Sequence, residues 1–148
     1  MTDASELVIR PYEETDQEQV IDLWHRCNLL VPWIDPVKDI QAKLKVQREL
    51  FLVGTIGDRV VATAMIGYVN RGWVNYLAVD PNYRRHGIGR RVMKKAEEEL
   101  SRLGCPKINV QIHTSNEGAI GFYESIGFRR DDVISMGKRL GYSDEVDS

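Results

Sequence analysis

The chain is 148 residues long, with 43% hydrophobic and 28% charged residues, the proportions of one ordinary globular domain and not of a disordered or fibrous chain. Its 20 Lys+Arg against 22 Asp+Glu give a formal net charge of −2, which argues against a general nucleic-acid binder. Two cysteines, Cys27 and Cys105, stand in no C-x-x-C spacing and exclude a disulfide scaffold.

In chain order, residues 7–9 read as a short first strand. Thr15-Asp16-Gln17-Glu18 has capping-box form, with Thr15 as N-cap and Glu18 three residues on. It opens a helix that carries Val20, Ile21, Leu23 and Trp24 at helical spacing as far as about Cys27. Residues 28–35 form an unusually apolar loop containing Leu29, Leu30, Val31, Pro32 and Trp33. Asp35-Pro36 then caps a second helix bearing Val37, Ile40 and Leu44. The period changes next. Residues 50–56, 60–69 and 73–79 are rich in β-branched and aromatic side chains, and Gly57-Asp58-Arg59 and Asn70-Arg71-Gly72 between them are hairpin signals.

A basic, glycine-containing loop over 83–89 leads into a long helix with Val92, Met93, Ala96, Leu100 and Leu103 on one face. Gly104 and Pro106 close it. Residues 107–113 read as a strand parallel to 73–79, because a helix joins the two. Residues 116–126 form a fourth helix ending at Gly127, and two last strands are expected from Phe128 to about Leu140. The acidic tail, residues 141–148, is expected to fray. The prediction is one domain over 1–148 in the α/β (α+β) class: a mixed, mostly antiparallel sheet of about seven strands flanked by four helices. The polar start, residues 1–6, lacks a leader's apolar run, and the longest apolar stretch, 60–66, is far short of the roughly 20 residues that span a bilayer. A soluble, cytoplasmic protein is expected.

Chemistry concentrates in residues 75–90, which run from strand through glycine loop to helix start. Free N–H groups and the dipole at a helix N-terminus make an anion site, and glycine lets the backbone approach phosphate oxygens. Arg84, Arg85, Arg90, Arg91, Lys94 and Lys95 add positive charge with no acid among them. A dinucleotide fingerprint would need glycine where Val92 stands, and no G-x-x-x-x-G-K-[ST] string occurs. A small diphosphate-bearing ligand is therefore favoured over a nicotinamide cofactor or a nucleoside triphosphate.

Arg84-x-x-Gly87-x-Gly89 resembles the R/Q-x-x-G-x-G/A acetyl-CoA signature of the GNAT superfamily of N-acetyltransferases. Asn116-x-x-Ala119-x-x-Phe122-Tyr123-x-x-x-Gly127-Phe128 is similar to that family's other motif, and spacing and element order agree. The stretch from Leu23-Trp24 through Pro32-Trp33, Asp35-Pro36 and Asp39-Ile40 looks like the bacterial branch called YpeA. The resemblance implies acetyl-CoA as co-substrate and transfer of its acetyl group to a primary amine by direct attack. It places the pyrophosphate on Arg84, Arg85, His86, Gly87, Ile88, Gly89 and Arg90, and pairs the pantetheine arm with Leu77, Ala78 and Val79. A backbone N–H near Leu77 would face the thioester oxygen. Asn116 falls beside the CoA arm, or is simply a helix cap. Tyr123 falls as general acid to the CoA thiolate, although it also lies on a core-facing stripe with Ala119, Phe122 and Ile126.

A general base is harder to find. Where ribosomal-protein N-terminal acetyltransferases of the superfamily carry Glu, this chain has Gln111, which cannot titrate. His113 shares its strand parity and is either a base or an ordinary surface histidine. His86 suits phosphate or solvent, and His25 has no suggested partner. No metal-ligand spacing occurs, so no metal is expected. A non-catalytic acyl-CoA-binding module on the same fold is the alternative. A nucleic-acid partner would rest on the 84–95 basic run alone and is not expected. The apolar loop 29–33 either covers the acceptor or mediates a homodimer.

Overall fold

The computed structural model describes residues 6–141. Its elements are β1 (Val8–Pro11), α1 (Gln17–Arg26), α2 (Pro36–Leu44), β2 (Phe51–Ile56), β3 (Arg59–Tyr68), β4 (Gly72–Val79), α3 (Ile88–Arg102), β5 (Ile108–Val110) and α4 (Glu117–Ser125). Single 3-10 turns occupy Glu14–Asp16, Arg48–Leu50 and Pro81–Tyr83. The chain divides into two units, Met1–Gln111 and Ile112–Ser148.

The first unit holds one mixed sheet in the order β1-β2-β3-β4-β5. The first four strands are antiparallel neighbours, and β5 runs parallel to β4 across α3. Both faces of the central strands are covered, which is why β2 and β3 read as near-continuous apolar runs and not as alternation. On one face Val20, Leu23 and Trp24 of α1 and Ile40 of α2 pack with Phe51, Val53, Met65 and Ala78. Tyr12 stacks on Phe51 there, with ring centroids 4.5 Å apart. On the other face α3 lays Ile88, Val92, Met93, Ala96 and Leu100, all buried, against β2, β3 and β4. Gly54 permits that approach. A Cβ built on it would meet Leu7 Cδ1 at 3.2 Å, Ala62 Cβ at 3.3 Å and Val92 Cγ2 at 3.8 Å. Gly104, at φ +83, ends α3 as expected, and the Cys105 N–H returns to Leu100 O at 3.0 Å.

Three expectations need correction. The sheet has five strands among the described residues, not about seven. Residues 128–141 carry no strand. Val133, Ile134, Met136 and Leu140 there are 77–90% exposed, and a hairpin with no further strand or helix on its apolar side is marginal. The strand expected over 107–113 shrinks to Ile108–Val110, because it pairs with β4 only opposite Gly72, Trp73 and Val74. The α1 cap is also different. Thr15 lies inside the Glu14–Asp16 turn, and Asp16 takes the terminal position instead. Its carboxylate accepts two bonds from Arg10, at 2.8 and 3.0 Å, and one from the Glu13 N–H at 2.8 Å. With its oxygens engaged there, Asp16 makes no side-chain capping bond to α1. The tail over 141–148 lies outside the described residues, Gly141 apart.

Candidate functional site

The strand β4 changes direction in its middle. Its pairing with β3 runs in step as far as Asn75 opposite Met65 and resumes with Ala78 opposite Thr63, so Tyr76 and Leu77 share Ala64 as their opposite number. This is a β-bulge, with Tyr76 at φ +52. A non-glycine residue in the left-handed region costs on the order of 1–3 kcal/mol and persists only when its surroundings hold it. Here the Thr63 hydroxyl donates to Tyr76 O at 2.7 Å and accepts from Trp24 Nε1 at 2.9 Å. The Tyr76 ring stacks on Trp24 at 3.8 Å between centroids, and its phenol donates to Asp39 Oδ2 at 2.6 Å. Burial, and after it the Asp39 carboxylate, push the Tyr76 phenol well above its ordinary range.

Beyond Val74 the outer edge of β4 has no β5 pairing. Leu77 and Val79 are half-buried and Ala78 is buried, so all three expected residues sit at a strand end whose backbone edge faces away from β3.

The basic loop follows at once, and ion pairs on one buried carboxylate anchor it. Asp80 is fully buried, lying 3.1 Å from Arg26 and 3.3 Å from Arg59, and it accepts from the Asn82 N–H at 2.9 Å. Burial alone would raise its pKa. Arg26, the Asn82 N–H and Arg59 outweigh that and hold the carboxyl below the usual range. Cys27 ties the same corner to α1: its thiol donates to Val79 O at 3.4 Å and accepts from the Arg84 guanidinium at 3.8 Å. Arg85, at φ +69, and Gly87, at φ +74, then reverse the chain into α3. Gly87 is the N-cap and brings no capping side chain, and Arg91 N–H makes the first helical bond, to Gly87 O at 3.1 Å. The Ile88 and Gly89 N–H groups ahead of it belong to a helix start that no side chain closes. Arg84, Arg85, His86, Gly87 and Arg90 are exposed, while Ile88 is buried as an anchor.

In the second unit the Asn116 side chain caps α4, accepting from the Ala119 N–H at 3.1 Å. Tyr123 is 6% exposed and meets Phe122 and Phe128 edge-on, with centroids 5.2 and 5.1 Å away. Burial raises its phenol pKa. His113 and Gln111 are exposed. Leu77, Ala78, Val79 and Arg84 to Arg90 are thus brought together in one unit, and Asn116 and Tyr123 belong to the other.

Sequence reasoning missed Thr63, Tyr76, Asp39, Arg26 and Asp80. Asp80-Pro81 carries the same cap signal as Asp35-Pro36, which could have revealed its turn but not its arginines. Nothing in spacing links Tyr76 to Asp39. Among the described residues no group of three or more His, Cys, Asp or Glu could hold a metal, and no helix is long and apolar enough to cross a membrane.

The sequence model described as the Acetyltransferase (GNAT) family matches residues 7–128. Among solved structures, the ribosomal-protein-S18-alanine N-acetyltransferase from Escherichia coli is 26% identical at a TM-score of 0.70, covering 84% of this chain and 79% of that one. An aminoglycoside acetyltransferase from an uncultured soil metagenomic sample is 22% identical at 0.72, with 92% and 97% covered. A transcriptional regulator from Bacillus halodurans is 20% identical at 0.73, with 90% and 99% covered. The last two likenesses concern the fold.

Proposed function

The chain belongs to the acetyltransferase (GNAT) family, and from that premise we propose that it transfers the acetyl group of acetyl-CoA to a primary amine by direct attack. The observation that carries the proposal is one continuous run, Tyr76 to Arg90, in which a bulged strand edge is followed by a basic loop and an uncapped helix start. The strand edge suits the amide-rich pantetheine arm. The helix start, with Arg84, Arg85 and Arg90 around it, suits a pyrophosphate.

In this reading Leu77, Ala78 and Val79 hold the arm by backbone bonds, and the N–H after the bulge faces the thioester oxygen. A preorganised donor aimed at a developing oxyanion contributes about 3–4 kcal/mol where measured. As the amine nitrogen bonds to the carbonyl carbon, the C–S bond breaks, the amine proton leaves to solvent and the sulfur acquires one. The family resemblance assigns Tyr123 the role of proton donor to the sulfur. Its raised pKa keeps it a phenol throughout, but every unit of separation from a thiol near 8.5 adds about 1.4 kcal/mol to full transfer. Tyr123 therefore acts chiefly by hydrogen bonding to the sulfur as the bond breaks. With Gln111 in the base position, a low-pKa amine is favoured. An α-amine near pKa 8 is about one-tenth neutral at pH 7, against roughly one in 2,500 for a lysine. A YpeA-like placement, a cytoplasmic setting and a 29–33 loop that either covers the acceptor or mediates a homodimer belong to the same proposal.

The test is thiol release from acetyl-CoA over a panel of amines, wild type against Tyr123→Phe. Turnover on at least one amine, cut at least tenfold by the substitution, is expected. Tight CoA binding with no turnover on any amine would support the non-catalytic acyl-CoA module instead.

A further inference from the structure

Four acidic side chains among the described residues are other than exposed: Asp16, Asp39, Asp80 and Glu99. Three face cations. Asp16 meets Arg10, Asp80 meets Arg26 and Arg59, and Glu99 meets Lys95 and Arg102. Asp39 has no Lys or Arg within ion-pair distance among the described residues. What the fold gives it is the Tyr76 phenol, at 2.6 Å on Oδ2. A half-buried carboxylate that one phenol holds in place is a preset partner for a cation. Tyr76 in turn lies flat on the fully buried Trp24, which fixes the phenol and with it the carboxylate.

The placement matters as much as the charge. Tyr76 is the bulge residue itself, and its neighbour Leu77 carries the N–H proposed to face the thioester. A full tyrosine side chain separates Asp39 from that backbone, so Asp39 is not placed to take a proton from a nitrogen attacking there. It is placed to meet a second charge on the same molecule.

We propose that Asp39, held by Tyr76, is a specificity residue: it receives a cationic group borne by the acceptor at a distance from the amine that is acetylated. Acceptors with two positive charges are then preferred over neutral or acidic amines of equal length. The inference rests on the acetyltransferase reading for the word acceptor, but the cation site is measurable without turnover.

The experiment has two arms on the intact protein. In the first, calorimetry measures binding of 1,5-diaminopentane and of pentylamine to wild type, Asp39→Asn and Asp39→Glu, with thermal unfolding to confirm that each variant is folded. Wild type should bind the diamine about tenfold or more tightly than the monoamine, Asp39→Asn should lose the difference, and Asp39→Glu should restore part of it. Equal binding of both amines to wild type, or a preference that survives in Asp39→Asn, overturns the proposal. In the second arm, acetyl transfer to the same amines should show that Asp39→Asn lowers kcat/KM more for the diamine than for pentylamine, and that Asp39→Glu recovers part of the difference. An equal loss on both amines marks a merely structural role and also overturns it. Asp39-dependent diamine binding without turnover on any amine would reject the acetyltransferase reading while leaving the cation site standing.

Discussion

Asp80 joins the interior of the first unit to its most exposed loop. Two arginines and a backbone N–H converge on a carboxylate with no water access. Asp80→Asn removes the buried charge while Arg26 and Arg59 keep solvent access, so it should destabilise by about 1–3 kcal/mol in urea unfolding. In the fraction that remains folded, the KM for acetyl-CoA should rise more than kcat falls, since the substitution loosens the loop and not the chemistry. The pH dependence follows from the same residue and from Asp16. Both carboxyls are held below their usual range when folded. Stability from them is therefore complete above the unfolded value near 3.9 and is lost as pH falls through the lower folded values. Urea midpoints measured from pH 7 down to pH 2 should drop below about pH 4, and the drop should be smaller in Asp16→Asn.

At the scale of elements, the tightest constraint is the approach of α3 to β2. Gly54→Val would drive a branched side chain into Leu7, Ala62 and Val92, and about 1–3 kcal/mol should be lost with the fold retained. Gly87 differs. A Cβ there meets nothing within 4 Å, and only its φ of +74 resists substitution. Gly87→Ala should cost about 1 kcal/mol in unfolding but weaken acetyl-CoA binding more, because relaxing φ turns the helix start away. Elements of this kind were legible beforehand. The α3 stripe as far as Leu100 (Leu103, expected on it, is 51% exposed), the Gly104 stop, the Asp35-Pro36 cap and the three central strands all depend on local periodicity and turn chemistry. The Tyr76 bulge was not, because its causes are Thr63, Trp24 and Asp39, which come from three other elements. Nor was the absence of strands after Phe128, since the same alternation suits a paired strand and an exposed segment alike.

Across the whole molecule, a net charge of −2 conceals a marked separation, with six cations between Arg84 and Lys95 and acids at Glu97, Glu98 and Glu99. Surface attraction of that sort is screened within about 10 Å at 0.1 M salt. Acetyl-CoA affinity should therefore fall several-fold between 50 and 500 mM salt in equilibrium binding, while affinity for an uncharged amine stays nearly constant. The element order and the basic loop were readable across the chain. The pairing of Asp39 with Tyr76 was not, because α2 and β4 are brought together by tertiary packing that no spacing records.

The stack of Trp24 on Tyr76 gives the protein an optical readout of its own bulge. A fully buried indole whose N–H is tied to Thr63 should emit at short wavelength, and a phenol and a peptide carbonyl beside it are natural quenchers. Replacing Trp33 and Trp73 by phenylalanine would leave that one fluorophore. Any molecule that shifts Tyr76 would then report itself as a change in emission, with no label and no coupled assay.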